Sequence, residues 1–273
     1  MTVAATSIAF AAAAVVYSLS TVAFFAHLWR GGKRWSLIAM VCLGLGTVPH
    51  AAFAIGHLLR SPGPVLGSIY DTLAVGSLLV AVAYLATMRK HRLTVLGAFI
   101  TPVTLLMLLG SGVEAKVAQV SDSVRSAILP VHVLVNILGI VAFALAFGVA
   151  IAYVIQEQML RRRQLGGVFR RLPALDVLDS LGLRLVTIGF PLFTVGMLTG
   201  SLWAVRIGAG HVRFSPGQGF AVLAWAFFAI VLLSRAAAGW RGRRAAIGTM
   251  LGFLCTMAAM AGYVLRGMAL EGS

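Results

Sequence analysis

Acidic residues are almost missing from this chain of 273 residues: 7 Asp and Glu stand against 22 Lys and Arg, and charged residues of both signs make up only 11%. A water-soluble domain carries about 25% charged residues, so a 60% hydrophobic content and a mean hydropathy of +0.98 exclude one. The scarcity of carboxylates also argues against proton relays or cation pumps built on buried acids. Cysteine is as scarce. Cys42 and Cys255 both fall in apolar runs with no CxxC spacing, which excludes a disulfide framework or a thiolate metal site and makes both read as buried spectators. Serine-hydrolase and phosphate-loop patterns are absent, as are low-complexity tracts and internal repeats.

What the chain has instead is apolar length. Runs near 3–29, 35–59, 67–88, 93–111, 129–156, 182–204, 218–234 and 244–265 each approach the roughly 20 residues a helix needs to cross a bilayer. This predicts an all-α polytopic transmembrane helical bundle of about eight helices, read as a single integral membrane domain over 1–273. The first run has no basic residue before it and Arg30, Lys33 and Arg34 after it, the reverse of a secretory signal, so it is expected to be a retained helix.

The net charge of +15 would suit nucleic acid if it were spread over a surface, but it sits in short clusters between the apolar runs, which favours anionic lipid headgroups. Arg30/Lys33/Arg34, Arg89/Lys90/Arg92, Arg161 to Arg163 with Arg170/Arg171, and Arg235/Arg241/Arg243/Arg244 fall in alternate connections. The other connections hold only Arg60, Lys116, Arg125, Arg206 and Arg213. The positive-inside rule therefore makes the first set cytoplasmic and puts both termini outside. The longest cytoplasmic connection, 157–181, contains Leu172-Pro173-Ala174-Leu175-Asp176, whose early proline and acid predict a short amphipathic helix at the membrane surface.

Histidine is the conspicuous chemical group. His27 and His91 sit at basic, interfacial positions and read as solvated side chains. His50 and His57 are seven apart, which puts them on one face of the second helix, and an imidazole at membrane depth needs a partner. His132 opens the fifth helix after Pro130, and His211 lies in the outer loop between the sixth and seventh. Imidazole is a common axial ligand of haem iron, with apolar walls and basic groups around the porphyrin. Arg60, Arg206 and Arg213 supply basic groups on the outer side, and Trp203, Phe214, Phe220 and Trp225 supply aromatics. The competing reading is of histidines that hydrogen-bond helix backbones and aromatics that mark a membrane interface.

Several segments resemble the transmembrane cytochrome c assembly family, in its CcsA/HemX-like branch, over about residues 57–255. Pro64 through Ile69-Tyr70-Asp71-Thr72-Leu73 resembles the family's P-x-x-N-x-Y-E-S-L stretch, and Gly97-Ala98-Phe99-Ile100-Thr101-Pro102 resembles its glycine-to-proline helix start. Leu129-Pro130-Val131-His132 is similar to the segment carrying the family's first external haem-ligating histidine. Tyr153-Val154-Ile155-Gln156-Glu157, Gly189-Phe190-Pro191-Leu192, Thr199-Gly200-Ser201-Leu202-Trp203 and Gly239-Trp240-Arg241-Gly242 resemble further signature pieces.

The resemblance implies a haem-handling protein of the bacterial inner membrane, holding haem b at the outer face for cytochrome c biogenesis. Its implied ligands are His132 and, in the membrane, His50 or His57, with His211, Arg213 and Phe214 in the outer loop. Implied partners are the lipid bilayer, apocytochrome c and a membrane subunit with an external domain; nucleic acid is not one. No side chain is assigned a catalytic role, and haem-lyase activity is expected only with a partner subunit.

Two departures from the family pattern open the alternative. The tryptophan-rich W-x-W-D-x-K-E-x-W stretch is replaced by His211-Val212-Arg213-Phe214-Ser215-Pro216-Gly217-Gln218-Gly219-Phe220, and the second external histidine is missing, because Gly262-Tyr263-Val264-Leu265-Arg266 ends without one. A HemX-like regulator or scaffold, acting through 157–181 without ligating haem, accommodates both. A transporter is the weaker third reading, for lack of inverted repeats.

Overall fold

The computed structural model describes residues 2–60, 68–91, 93–112, 128–206 and 216–269. Among the described residues, eight helices are long and apolar enough to cross a membrane: α1 Val3–Arg30, α2 Lys33–Leu58, α3 Ile69–His91, α4 Gly97–Ser111 with a 3-10 turn Thr94–Leu96 before it, α5 Ile128–Arg161, α6 Leu175–Arg206, α7 Pro216–Ala238 and α8 Arg243–Ala269. Leu45, Val48, Leu198 and Leu233 stand more than 60% exposed on their helices, which a bilayer accommodates and water would not. Eight crossings return the chain to its starting face, and the arginine-rich turns after α1, α3, α5 and α7 share the opposite face, the one the positive-inside rule expects to be cytoplasmic. Cys42 and Cys255 are free and half-buried, so the expected full burial holds for neither thiol.

Two antiparallel groups build the bundle. In the first, α1 packs on α2 and α4, α2 on α3, and α3 on α4; in the second, α5 pairs with α6 and α8, and α7 with α8. Helix α5 joins them by packing on α3 and α4, and it is the most buried span, whereas α7 leaves most of its surface to lipid. Without a hydrophobic drive between helices in lipid, close approach depends on small residues and a few polar ties. Ser20 Oγ donates to Ala39 O at 2.9 Å between α1 and α2, and Trp225 Nε1 donates to Thr194 Oγ1 at 3.0 Å between α7 and α6.

The connection between α5 and α6 differs from expectation. No separate surface helix forms: Leu175 onward is the first turn of α6 itself, and α5 runs 34 residues to Arg161. At about 1.5 Å per residue α5 is roughly 50 Å long, well beyond a hydrocarbon core of about 30 Å. The physical reason is a polar node that anchors these cytoplasmic extensions. Arg235 of α7 donates two bonds to the Asp179 carboxylate of α6, at 3.0 and 2.7 Å, and Gly242 N donates a third at 3.0 Å. Glu157 of α5 pairs with Arg161 at 2.8 Å and with Arg243 of α8 at 3.6 Å. A cavity of about 30 Å³, room for one water, lies beside this node among Tyr153, Asp179, Arg235 and Thr249.

Candidate functional site

His132 occupies the second turn of α5 on the outer side, half-buried against α6. Its Nδ1 lies 2.7 Å from Gly196 O. A carbonyl oxygen has only lone pairs to offer, so Nδ1 carries the proton and donates. In the neutral ring this leaves the lone pair on Nε2, and among the described residues nothing hydrogen-bonds that nitrogen. One turn along, Asn136 Nδ2 donates to His132 O at 2.7 Å and approaches Nδ1 at 3.2 Å. Thr199 Oγ1 also donates to Gly196 O, at 3.0 Å. The imidazole fits because α6 presents Gly196 and Gly200 to it. A Cβ on Gly200 would stand 2.5 Å from His132 Cε1, and one on Gly196 would overlap the Asn136 amide. The pair of glycines thus forms a seat that fixes both ring position and tautomer.

His57 has a second arrangement of the same logic. Ser68 and Asp71 cap the start of α3 reciprocally: Asp71 N donates to Ser68 Oγ at 3.0 Å, and Ser68 N donates to Asp71 Oδ2 at 3.2 Å. The other carboxylate oxygen, Oδ1, lies 3.2 Å from His57 Nδ1, an electrostatic contact rather than an aligned hydrogen bond. Asp71 is fully buried while the His57 side chain stays about a quarter exposed, and Phe53 packs edge-on against its ring at 5.6 Å. A carboxylate beside one ring nitrogen is the usual support of a metal-bound imidazole, and here it is Nδ1 that faces Asp71. Arg60 lies on the next turn, where Nε donates to Gly56 O at 3.0 Å.

His50, two turns deeper on α2, has no free nitrogen. Tyr17 OH is 3.0 Å from Nδ1, while Ala74 O and Ser77 Oγ lie 3.1 and 3.2 Å from Nε2. The carbonyl requires Nε2 to donate, so Nδ1 accepts the tyrosine proton. The ring is completely buried and ties α1, α2 and α3 together. It fits an iron only if one of these bonds is given up. His50 and His57 both face α3, whereas His132 faces α6, and α2 packs extensively against neither α5 nor α6.

His211, Arg213 and Phe214 lie outside the described residues. Phe220 is 41% exposed near the outer start of α7, and the half-buried Trp225 rests on Phe190 at 5.6 Å. Sequence reasoning missed the supporting residues Gly196, Asn136, Thr199 and the role of Asp71. The signals were there in the Gly-x-x-x-Gly spacing of Gly196 and Gly200, in Asn136 four residues after His132, and in the Ser-x-x-Asp of a capping box.

A family model described as "Cytochrome C assembly protein" matches residues 64–268. The cytochrome c biogenesis protein CcsA of Synechococcus elongatus is 27% identical over 255 residues, covering 88% of this chain and 70% of that protein. CcsA of Parasynechococcus marenigrum is 26% identical over 230 residues, 84% of this chain and 64% of its own. CcsA of Mesostigma viride is 36% identical over 95 residues, 35% of this chain and 31% of its own.

Proposed function

Because the chain belongs to the cytochrome c assembly protein family, we propose that it serves cytochrome c biogenesis by holding haem b at the outer face of the bacterial inner membrane, where His132 Nε2 would ligate the iron. The observation that carries this reading is the 2.7 Å bond from His132 Nδ1 to Gly196 O, which commits one nitrogen to the protein and leaves the other to a metal. Haem, when bound, supplies the iron that imidazole ligates and the vinyl groups to which apocytochrome thiols add.

The chain's own residues bind and orient. Gly196 and Gly200 seat the imidazole, Asn136 and Thr199 hold the local backbone, and the outer end of α5 presents Nε2 away from its Nδ1 partner. His57, oriented by Asp71, is the better of the two α2 histidines for a second haem position, and His50 serves to lock α1 to α3. His211 and Arg213, which lie outside the described residues, would be the candidates for a second iron ligand and for pairing with a propionate. Apocytochrome c and a membrane subunit with an external domain are the expected partners, and any lyase activity belongs to that assembly.

Absorption spectra of the detergent-purified protein, oxidised and dithionite-reduced, test this for wild type, His132→Ala and His57→Ala. A Soret band with reduced α and β bands that weakens in His132→Ala supports the reading. Spectra without haem features after haem is supplied would sink it. A second reading, a HemX-like regulator of haem synthesis, is favoured by the missing tryptophan-rich stretch and by the α5–α6 connection being tied down: Arg171 donates to Leu28 O and Trp29 O at 2.7 and 2.8 Å.

A further inference from the structure

Arginine-rich loops are expected on the cytoplasmic side of any membrane protein, but the fold brings two of them together here in a way the sequence does not show. Arg171, in the α5–α6 connection, reaches across to the end of α1 and donates to the carbonyls of Leu28 and Trp29. These carbonyls are the unsatisfied acceptors of a helix C-terminus, where a cation is also favoured by the helix dipole. Gly31, at φ 71°, lets the guanidinium settle against the turn, since a Cβ there would stand 2.6 Å from Arg171 Nη2. The docking puts Arg30, Lys33 and Arg34 beside the loop that carries Arg162, Arg163 and Arg170. All six are exposed, and among the described residues none pairs with a carboxylate.

Two of the nearby acids are engaged, Glu157 with Arg161 and Arg243 and Asp179 with Arg235, and the exposed Asp176 in the first turn of α6 is the one carboxylate left to set against these six cations among the described residues. Like charges carried on two docked segments repel one another, and an anion bound between them relieves that repulsion. The backbone adds a second observation. Helix α5 ends in a Schellman turn, with Gln164 N bonded to Met159 O at 2.9 Å and Arg163 N to Leu160 O at 3.0 Å. The left-handed position of that turn usually belongs to glycine, but here Arg163 takes it at φ 57°. The side chain of Arg163 is nonetheless exposed. Two large apolar side chains of the same two segments are exposed as well, Leu165 at 50% and Trp29 at 69%. The loop also folds back on itself, with Arg170 Nε donating to Leu165 O at 3.3 Å.

We propose that the docked α1–α2 turn and α5–α6 loop form a composite binding site for an anionic phospholipid headgroup of the cytoplasmic leaflet. Arg162, Arg163 and Arg170 take the phosphate from one side and Arg30, Lys33 and Arg34 from the other. Trp29 and Leu165 contact the upper acyl chains. The lipid bridges the two helical groups of the bundle at the one place where Arg171 joins them.

The test is thermal unfolding of the full chain in neutral detergent, with phosphatidylglycerol, phosphatidylcholine or inorganic phosphate added, for wild type, R162Q/R163Q/R170Q, and the exposed control pair R241Q/R244Q. The expected result is a Tm raised by several degrees with phosphatidylglycerol alone in wild type and control, and lost in the triple variant. In detergent without lipid, the triple variant should be at least as stable as wild type, because its repulsion is relieved. Equal phosphatidylglycerol shifts in all three proteins would overturn the site, and an equal response to inorganic phosphate would reduce it to a free-anion site. A triple variant weakened in plain detergent would mean the arginines serve internal packing instead.

Discussion

A histidine inside a membrane protein is defined by what each of its two nitrogens does. His50 spends both, and His132 spends one. This difference was not legible in the sequence, where His50, His57 and His132 all read as polar residues in apolar runs. The partner that fixes the tautomer of His132, Gly196 O, is 64 residues away and has no side chain to reveal it. The seat at Gly200 gives a sharper test of ligation than removing the histidine itself. Gly200→Val leaves the imidazole in place but drives a branched side chain into a ring already 2.5 Å from where a Cβ would stand. Haem retention should fall by about 10-fold to 100-fold, the loss typical of disturbing the support of a metal ligand. Titration of the Soret absorbance with haem reads it, and an affinity equal to wild type would mean Nε2 is not the ligating atom.

At the scale of helices, the sequence was most informative where side chains face lipid. All eight spans lie where the apolar runs predicted them, because the bilayer imposes both length and hydropathy on a helix. The cytoplasmic ends of α5 and α6 were misread. Both helices continue through a charged stretch that hydropathy assigns to a loop, since Asp179 finds Arg235 and Gly242 N across the bundle, and Glu157 finds Arg243. The start of α3 shows local chemistry that sequence does reveal. Ser68 and Asp71 satisfy each other's backbone N–H groups, and Asp71 also orients His57. Ser68→Ala should therefore cost about 1 kcal/mol of stability through the lost cap. It should leave the His57 contact intact, while Asp71→Asn should disturb both. Thermal unfolding measures the first effect, and the reduced α band of any haem held at His57 measures the second.

For the whole molecule, the two helical groups are held at different levels: α5 packs on α3 and α4 within the membrane, and the arginine-rich face carries the polar ties. The Asp179 and Arg235 side chains are 18% and 15% exposed, so their pair is neither a screened surface bridge nor a dry buried one. Such a pair gains from its bidentate geometry but has lost much of its hydration, and the third bond from Gly242 N fastens the α7–α8 turn to α6. Removing Asp179 strands a largely buried guanidinium, whereas removing both partners leaves no stranded charge. A double-mutant cycle separates the two contributions. Asp179→Ala should cost about 2–3 kcal/mol, and Asp179→Ala with Arg235→Ala clearly less than the sum of the single changes, a coupling of roughly 1–2 kcal/mol. Unfolding of the purified chain in detergent measures each. Additive losses would mean that the node merely fills space, and that the length of α5 and α6 beyond the hydrocarbon is fixed by the packing of Leu172 and Leu178 instead.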